Sequence, residues 1–382
     1  MPFEQLFEWC PKSEIGSNDG AKTGKYRLYI ASATILKYYN ESLAKGESLV
    51  FGTGGNPAIH YTEGEFAYTN HCEAAQKKSS NICTKFYYYY FQQERMAQLQ
   101  STFVGGGIKN SSKKKIGKLL VPLLPLEEQQ RIAARLDELL SNVEATEEEM
   151  RTVEHRLKLY RQATLKHTFD ELLSDSCTQM FHIDEFLCSD RRGMATGPFG
   201  TMIKKSDHRT SGVPMLGIEN IGIGEFVDGS KIFVTEEKAK ELSSFALKGG
   251  DIIISRSGTV GEICVVPDRM KGSLLSTNLM RISVDANKIL ANYFVYLFQS
   301  KGVVLDQVKE LCKGSTRDFL TQKILKQIRF PLPSIAKQKD ILKQIEQELT
   351  IYSEIKKTIQ LGLIQLEALR QSILREAFNG NL

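Results

Sequence analysis

The sequence predicts an α+β chain in which two long antiparallel coiled-coil helices separate two globular, strand-rich mixed α/β domains, with approximate two-fold symmetry. The main observation is an internal repeat with a constant offset of 209 residues. Residues 122–132 (PLLPLEEQQRI) superimpose without a gap on 331–341 (PLPSIAKQKDI), and 160–173 superimpose on 369–382. A repeat of this length indicates that one unit, a domain followed by a helix, was duplicated.

The repeat divides the chain into four segments. We predict a first globular domain over residues 1–121, a helix over 122–175, a second globular domain over 176–330 and a C-terminal helix over 331–382. A chain of 382 residues is long enough for two or three domains. Hydrophobic residues make up 41% and charged residues 25%, which is ordinary for a folded protein.

Composition also restricts the class of protein. No apolar run approaches the ~20 residues that a membrane span needs, and the N-terminal residues have no signal-peptide pattern. The seven cysteines are an odd number and form no CxxC pair, so zinc ribbons and disulfide frameworks are disfavoured. Reduced thiols and a cytoplasmic location are expected.

Apolar residues recur in each helix in alternating steps of four and three. After Pro125 an acidic first turn, Glu127 and Glu128, suits the positive end of a helix dipole. The spacing predicts a coiled-coil seam, meaning the stripe of side chains through which one helix packs on the other. The predicted seam positions of the first helix are 132, 136, 139, 143, 146, 150, 153, 157, 160 and 164. In the second helix they include Ile341, Ile345, Tyr352, Ile355, Ile359, Leu366, Leu369 and Ile373. An ordinary helical hairpin inside a core is the alternative.

Positive charge lies mainly in the globular segments. Residues 1–126 carry 15 basic and 10 acidic side chains and residues 174–333 carry 21 and 18, whereas the first helix, 127–173, carries 7 and 11. A basic globular surface is typical of proteins that bind a polyanion, above all nucleic acid. Lysine also keeps surfaces soluble, so charge alone is a weak indication.

Glycine-rich loops in both domains are the candidate DNA contacts, because glycine lets backbone N–H groups approach a phosphate and arginine can contact guanine. The loops follow short apolar strands in GESLVFGTGGNPA (46–58) and GDIIISRSGTVG (250–261), and recur in FVGGGIKNSSKKK (103–115). Ordinary hairpin turns with solvated lysines are the alternative. The predicted contacts in the second domain are Lys204, Lys205, Arg209, Arg256, Ser257, Thr259 and Arg317. In the first domain they are Lys25, Arg27, Thr53, Asn56, Lys113, Lys114 and Lys115.

Signals of catalysis are weak. Residues 103–107 match the Phe-x-Gly-x-Gly string of S-adenosylmethionine sites, but lysines follow where a helix should open, and no Asn-Pro-Pro-Tyr or Asp-Pro-Pro-Tyr tetrad is present. The six histidines lack paired metal spacing and there is no Walker A sequence. The sequence therefore predicts a recognition protein without catalytic residues or a metal of its own.

The motifs together resemble the DNA-specificity subunits of Type I restriction–modification systems. The first half matches through GKYRLYIAS (24–32), GESLVFGTGG, FVGGG and PLLPLEEQQRI. The second half matches through TGPFGTMIKKSD (196–207), GVPMLGIENIGIGEF (212–226), GDIIISRSGTVG and GSTRDFL (314–320), and through its helix. The resemblance covers nearly all of residues 190–382. We expect the shorter first domain to lack a counterpart of TGPFG and GVPMLGIENI.

The resemblance implies two target-recognition domains that each bind half of a split DNA site, and helices that set the gap. It implies docking of two methyltransferase subunits, which methylate adenine N6, and of restriction subunits that translocate DNA. S-adenosylmethionine, ATP and Mg²⁺ would then belong to those partners, and this chain would bind no cofactor. The repeated helix positions expected to dock partners are Gln129, Arg161, Phe169, Gln338, Arg370 and Phe378.

Two rival functions make different predictions. A self-contained DNA methyltransferase would bind S-adenosylmethionine without partners. A coiled-coil scaffold with two protein-binding domains would show no salt-dependent affinity for duplex DNA, whereas phosphate contacts weaken steeply as salt rises.

Lengthening the helices tests their role in setting the gap. Seven residues added to each helix lengthen it by about 10 Å, which is roughly three base pairs at ~3.4 Å each. We expect the gap between half-sites to widen by that amount in a genome-wide map of methylated adenine. The same seven residues added after Leu382 serve as the control. An unchanged gap in the lengthened variant would contradict the prediction.

Overall fold

The computed structural model describes residues 1–32, 36–174, 178–199, 202–256, 261–312 and 320–381. The chain forms two compact units. Unit 1 comprises residues 1–152 and 359–382, and unit 2 comprises residues 153–358. Each unit therefore combines a strand-rich domain with a segment from both long helices.

Short strands and short helices build the domain of unit 1, and the first long helix follows them. The strands are β1 (Phe7–Trp9), β2 (Tyr26–Tyr29), β3 (Lys37–Tyr39), β4 (Ala44–Lys45), β5 (Ser48–Gly52), β6 (Ala58–Thr62), β7 (Glu65–Tyr68) and β8 (Cys72–Lys77). The helices are α1 (Phe3–Leu6), α2 (Thr84–Gln92), α3 (Ala97–Ser101), α4 (Lys113–Gly117) and the first long helix α5 (Leu126–Ser174).

Two sheets organise these strands. One is antiparallel throughout, in the order β1–β8–β5–β6, and the other has the order β3–β2–β7–β4 with β2 and β7 parallel. Strand β5 is buried along its whole length, because the aromatic side chains of α1 and α2 pack against it. Phe51 of β5 lies edge-on to both Phe3 and Phe91, with ring centroids 5.4 and 5.5 Å apart, and such pairs stabilise a core beyond their buried area.

Unit 2 has a similar composition of elements. Its strands are β9 (Met180–His182), β10 (Met194–Thr196), β11 (Val213–Leu216), β12 (Ile232–Val234), β13 (Ile252–Ser255), β14 (Ile263–Val265), β15 (Leu274–Leu275), β16 (Leu279–Ile282) and β17 (Arg329–Pro331). Its helices are α6 (Glu236–Glu241), α7 (Ala291–Gln299), α8 (Leu305–Cys312), α9 (Gln322–Leu325) and the second long helix α10 (Ile335–Phe378).

The two domains share their strand order. In unit 2 the antiparallel sheet has the order β10–β16–β13–β14, which corresponds to β1–β8–β5–β6. The second sheet pairs β11 antiparallel with β12 and parallel with β15, just as β2 pairs with β3 and β7. Strand β2 therefore occupies the place of β11, the strand of GVPMLG. The expectation that the first domain lacks a counterpart of the GVPMLG strand is therefore wrong. The side chains of β2 and β11 differ, but their backbones make the same pattern of strand pairing.

The long helices run antiparallel within each unit. In unit 1 Arg370 of α10 bonds Glu144 of α5, while Leu374 and Ala377 share a core with Ile132 and Leu136. In unit 2 the Tyr160 hydroxyl donates to the Glu348 carboxylate. The predicted antiparallel coiled-coil helices, and with them the α+β fold class, are confirmed.

The predicted seam is interrupted along both helices. Ile132, Leu136, Val143 and Leu157 are buried, but Leu140 takes the place expected for Leu139. Five of the predicted seam positions are exposed: Thr146, Val153, Tyr160, Ile355 and Leu369. The regular spacing therefore overestimates the length of the buried stripe, since exposed positions such as Val153 and Ile355 alternate with buried ones such as Leu157 and Ile359.

A buried glutamine joins each domain to its long helix. The Gln129 Oε1 accepts a hydrogen bond from the Cys83 N–H at the start of α2, and its Nε2 donates to the carbonyls of Leu124 and Asn81. The Gln338 amide makes the same three contacts, with Leu290 N–H at the start of α7 and the carbonyls of Lys288 and Pro333. Both side chains are fully buried.

Replacing this glutamine should destabilise the fold. In Gln129→Ala the Cys83 N–H and two carbonyls lose their partners, and each buried orphan costs about 1–3 kcal/mol. We expect the free energy of unfolding of unit 1 to fall by roughly 2–4 kcal/mol, allowing for partial relaxation, as measured by denaturant unfolding. Gln130→Ala, at the exposed neighbouring position, is the control and should change stability little. Equal stability of the two variants would contradict the role of Gln129.

Candidate nucleic-acid interface

The two glycine-rich loops of the first domain meet in unit 1. Asn110 forms bridges with Gly54 and with Val104, and the Gly55 N–H donates to the Lys109 carbonyl over 2.9 Å. The loop after β5 and the loop before α4 thus form one surface. The sequence predicted both loops but not their contact, which depends on pairing between distant segments.

The predicted contacts of the first domain divide into two groups at this surface. Asn56 is exposed in the turn between β5 and β6, and Lys113, Lys114 and Lys115 are exposed on α4, next to the loops. Thr53 is buried instead, because its N–H and hydroxyl both donate to the His71 carbonyl over 2.8 and 2.9 Å. The structure therefore gives Thr53 a role in holding the loop, and the predicted DNA contact is not supported by its position.

Lys25 and Arg27 lie at the beginning of β2, away from the end of that strand that leads to the glycine loops. Both side chains are exposed and stack on neighbouring rings: the Lys25 Nζ is 4.9 Å from the Tyr26 ring centroid, and the Arg27 guanidinium is 4.8 Å from that of Tyr29. Burial and the nearby Arg27 lower the pKa of His60. These two cations thus lie at a different element of unit 1 from the lysines of α4.

Arg256 directly follows strand β13 in unit 2 and is half-buried. Its Nε and Nη1 lie 3.5 Å from the carbonyls of Leu320 and Thr277, and burial lowers the pKa of its guanidinium. Its backbone is held by the N–H of Leu320 and the carbonyl of Asn278. A guanidinium that is partly desolvated and oriented loses less entropy when it binds a base edge. Its predicted neighbours Ser257, Thr259 and Arg317 lie outside the described residues.

A short basic turn carries Lys204, Lys205 and Arg209, all of them exposed. The Lys204 N–H donates to the Asp207 carboxylate over 2.8 Å, which lowers the pKa of that carboxyl group. Arg209 donates from Nη1 to the carbonyls of Ser206 and His208. The turn is therefore closed by its own residues, and its lysine ammonium groups face solvent.

Four of the six predicted docking residues are used inside the chain. Gln129 and Gln338 join the domains to the helices, Phe169 is buried against Tyr293 with ring centroids 5.7 Å apart, and buried Arg161 donates to Gln299 over 2.6 Å. None of these four presents a surface for a partner. The reason is that residues repeated for internal packing cannot be distinguished, in the sequence, from residues repeated for docking.

The other two docking residues are partly accessible. Arg370 donates to Gln92 and Glu144 over 3.2 Å each, and Phe378 packs against Phe86 and Tyr90. Their docking role stays a prediction. The sequence missed a more exposed apolar set on the second long helix: Ile351 and Ile355 in unit 2, and Leu361 and Ile364 in unit 1.

The described residues lack two kinds of feature, a cluster of metal ligands and a membrane-spanning helix. They hold no cluster of three or more histidine, cysteine or acidic side chains placed to bind a metal ion. Nor does any helix among them have the length and apolarity needed to cross a membrane. The cysteines whose side chains are described, such as Cys72 and Cys264, are free thiols.

Comparison with known proteins identifies the family. A sequence profile described as the Type I restriction modification DNA specificity domain matches residues 7–155 and 198–363. The chain belongs to this family. The match covers most of both halves, so the predicted resemblance to this family is confirmed.

Two relatives of this specificity chain are the Type I restriction enzyme EcoBI specificity subunit of Escherichia coli and the StySPI specificity subunit of Salmonella potsdam. The first is 26% identical over 294 residues, which is 72% of this chain and 61% of the relative. The second is 21% identical over 352 residues, which is 89% of this chain and 74% of the relative. The chain thus spans less than two thirds of the length of the EcoBI subunit.

A solved structure titled as the basis of complex assembly and conformational transition of the type I R-M system has a similar fold. It superimposes with a TM-score of 0.65 at 18% identity, covering 100% of this chain and 97% of the other. This likeness supports the fold class of the specificity chain.

Removing the half-buried guanidinium tests its role in base recognition. If Arg256 contacts a base, Arg256→Ala should weaken binding of the cognate duplex by about 1–3 kcal/mol and relax the preference at one position. Binding of duplexes mutated one base pair at a time measures both effects. Arg209→Ala is the control. If Arg209 contacts a phosphate, losing that contact should lower the affinity for all duplexes by the same factor and leave the base preference unchanged. Unchanged affinity and preference in Arg256→Ala would exclude Arg256 from the interface.

Proposed function

We propose that this chain is the non-catalytic subunit of a Type I restriction–modification complex that recognises a split DNA site. Each domain binds one half-site, the two long helices set the distance between them, and the helices dock two methyltransferase subunits. Restriction subunits that translocate DNA would join through the same complex. The observation that carries the proposal is the shared strand order of the two domains, together with the family match in both halves.

The shared strand order gives each domain loops at corresponding strand ends. In unit 1 the loop after β5 meets a lysine-rich segment, and in unit 2 Arg256 follows the corresponding strand β13. Lysine side chains hold phosphates without regard to sequence, whereas an oriented arginine or a short polar side chain can discriminate base edges. A sequence-specific DNA-binding protein needs both kinds of contact.

Exposed apolar side chains of the second long helix support the docking proposal. In unit 1, Ile364 is 67% exposed and Leu361, one turn away on the same side of the helix, is 51% exposed, although this helix buries other apolar residues. A partner helix that covered these side chains would remove their apolar surface from water, which stabilises the complex by about 25 cal/mol per Å². We assign this surface to methyltransferase subunits.

DNA binding at graded salt tests the recognition role. The chain in complex with its methyltransferase subunits should bind a duplex carrying the site, with log affinity falling linearly against log salt. Changing Lys113, Lys114 and Lys115 to Ala should reduce the slope by about 2.7, or ~0.9 per lost phosphate contact. The control changes three exposed lysines of α10, Lys337, Lys339 and Lys343, to Ala. Affinity independent of salt in the unaltered complex would favour the scaffold alternative.

Copurification tests the docking surface. We expect Ile364→Asp to abolish copurification with the methyltransferase subunits, because the carboxylate would be buried without a partner in the interface. Since Ile364 is exposed in the chain, thermal stability of the unassembled protein should stay the same. Gln365→Asp, at the exposed neighbouring position, introduces the same charge and should retain the partners. Retention by Ile364→Asp would remove this face from the interface.

A further inference from the structure

A mostly apolar cleft that contains a few polar side chains lies beside the joined glycine loops of unit 1. Its volume is about 370 Å³, and its lining includes Ala31, Gly54, His71, Ile108 and Asn110. It is formed by five chain segments: the loop before β2, the ends of β2, β5 and β7, and the loop before α4. None of His71, Ile108 and Asn110 is among the sequence-predicted contacts.

Two polar side chains converge on Gly54 in this cleft. A Cβ added at Gly54 would lie 3.5 Å from Asn110 Oδ1 and 3.7 Å from His71 Nδ1. The glycine therefore leaves a methyl-sized space between an amide and an imidazole, both of them on exposed residues. Space of this kind admits part of a ligand between hydrogen-bonding groups.

The Asn110 amide is held in a defined orientation. Its backbone pairs with Val104, with hydrogen bonds of 2.9 and 3.0 Å in both directions, and its Nδ2 donates to the Ile108 carbonyl over 3.1 Å. One N–H of Nδ2 and the Oδ1 oxygen remain without a partner among the described residues. A free donor beside a free acceptor is the pattern that pairs with N7 and N6 of adenine in the major groove.

Ile108 provides the apolar half of the same surface. It is 76% exposed, the most exposed large hydrophobic side chain in the described part of the chain, and it is separated from Asn110 only by Lys109. Apolar side chains discriminate thymine through its C5 methyl group, while nearby lysines hold the backbone. Exposed Lys109 and the lysines of α4 flank this position.

We infer that Asn110 and Ile108 form the part of the first domain that recognises one A·T base pair, Asn110 binding the adenine and Ile108 contacting the thymine methyl group. The inference rests on the proposed function and adds to it the identity of a base pair and of the residues that select it. His71 lies on the other side of the gap and limits which bases can enter.

Selection from a duplex library tests this assignment. The full chain in complex with its methyltransferase subunits is given duplexes with randomised positions, and bound sequences are counted. The unaltered complex should select a split site that contains a fixed A·T pair in one half. Asn110→Ala should lower the preference for that pair by roughly 5- to 150-fold, leaving the other positions unchanged. Asn40→Ala, an exposed asparagine outside the cleft, is the control.

A second variant and a modified duplex avoid dependence on one substitution. Gly54→Ala places a methyl group in the gap at ordinary contact distances and should reduce the same preference. Replacing thymine by uracil in that pair removes only the methyl group, so the unaltered complex should bind about fourfold more weakly. Ile108→Ala should bind both duplexes equally.

The outcomes separate this inference from the proposed function. If the unaltered complex selects no split site, the proposed function fails. If it selects one, and Asn110→Ala keeps every base preference or uracil binds as well as thymine, the proposed function stands and the assignment of Asn110 and Ile108 is wrong.

Discussion

A fully buried amide at the beginning of each long helix determines how that helix leaves its domain. The amides of Gln129 and Gln338 satisfy the N–H at the start of a domain helix and two carbonyls that precede the long helix. Unpaired, such groups would each cost about 1–3 kcal/mol, so the junction has one favourable geometry. Tyr87 and Tyr293 reinforce it by donating to the carbonyls of Pro122 and Pro331. Within each unit, the domain that carries the loops at the strand ends is therefore held in one orientation relative to the beginning of its long helix.

The repeat in the sequence predicted this architecture more reliably than it predicted the roles of single residues. Spacing of apolar residues was sufficient for two antiparallel helices, because a one-sided stripe must be buried against another element. Spacing could not show that Gln129 and Phe169 point into their own unit, since a repeated position looks the same whether it packs internally or binds a partner. The strand β2 shows the opposite error: its sequence differs from that of β11, but backbone pairing depends weakly on side-chain identity.

The candidate interface was predictable only where it is continuous along the chain. Glycine and lysine in one loop marked the surface near α4, and the arginine after β13 was identified by its neighbours. Asn110 and His71 were missed because their approach to Gly54 depends on pairing between residues 54 and 110 and between residues 53 and 71. Burial similarly removed Thr53 from the surface, although a threonine in a glycine loop is normally accessible.

The division of the chain has a consequence for the order of folding. Unit 2 is one uninterrupted stretch, residues 153–358, whereas the core of unit 1 includes Leu374 and Ala377 beside Ile132 and Leu136. A ribosome therefore completes all of unit 2 before it releases the residues that close unit 1. Domains generally fold as units during synthesis, so the domain made first is the one whose core is completed last. Until then, its part of the first long helix has an uncovered apolar face.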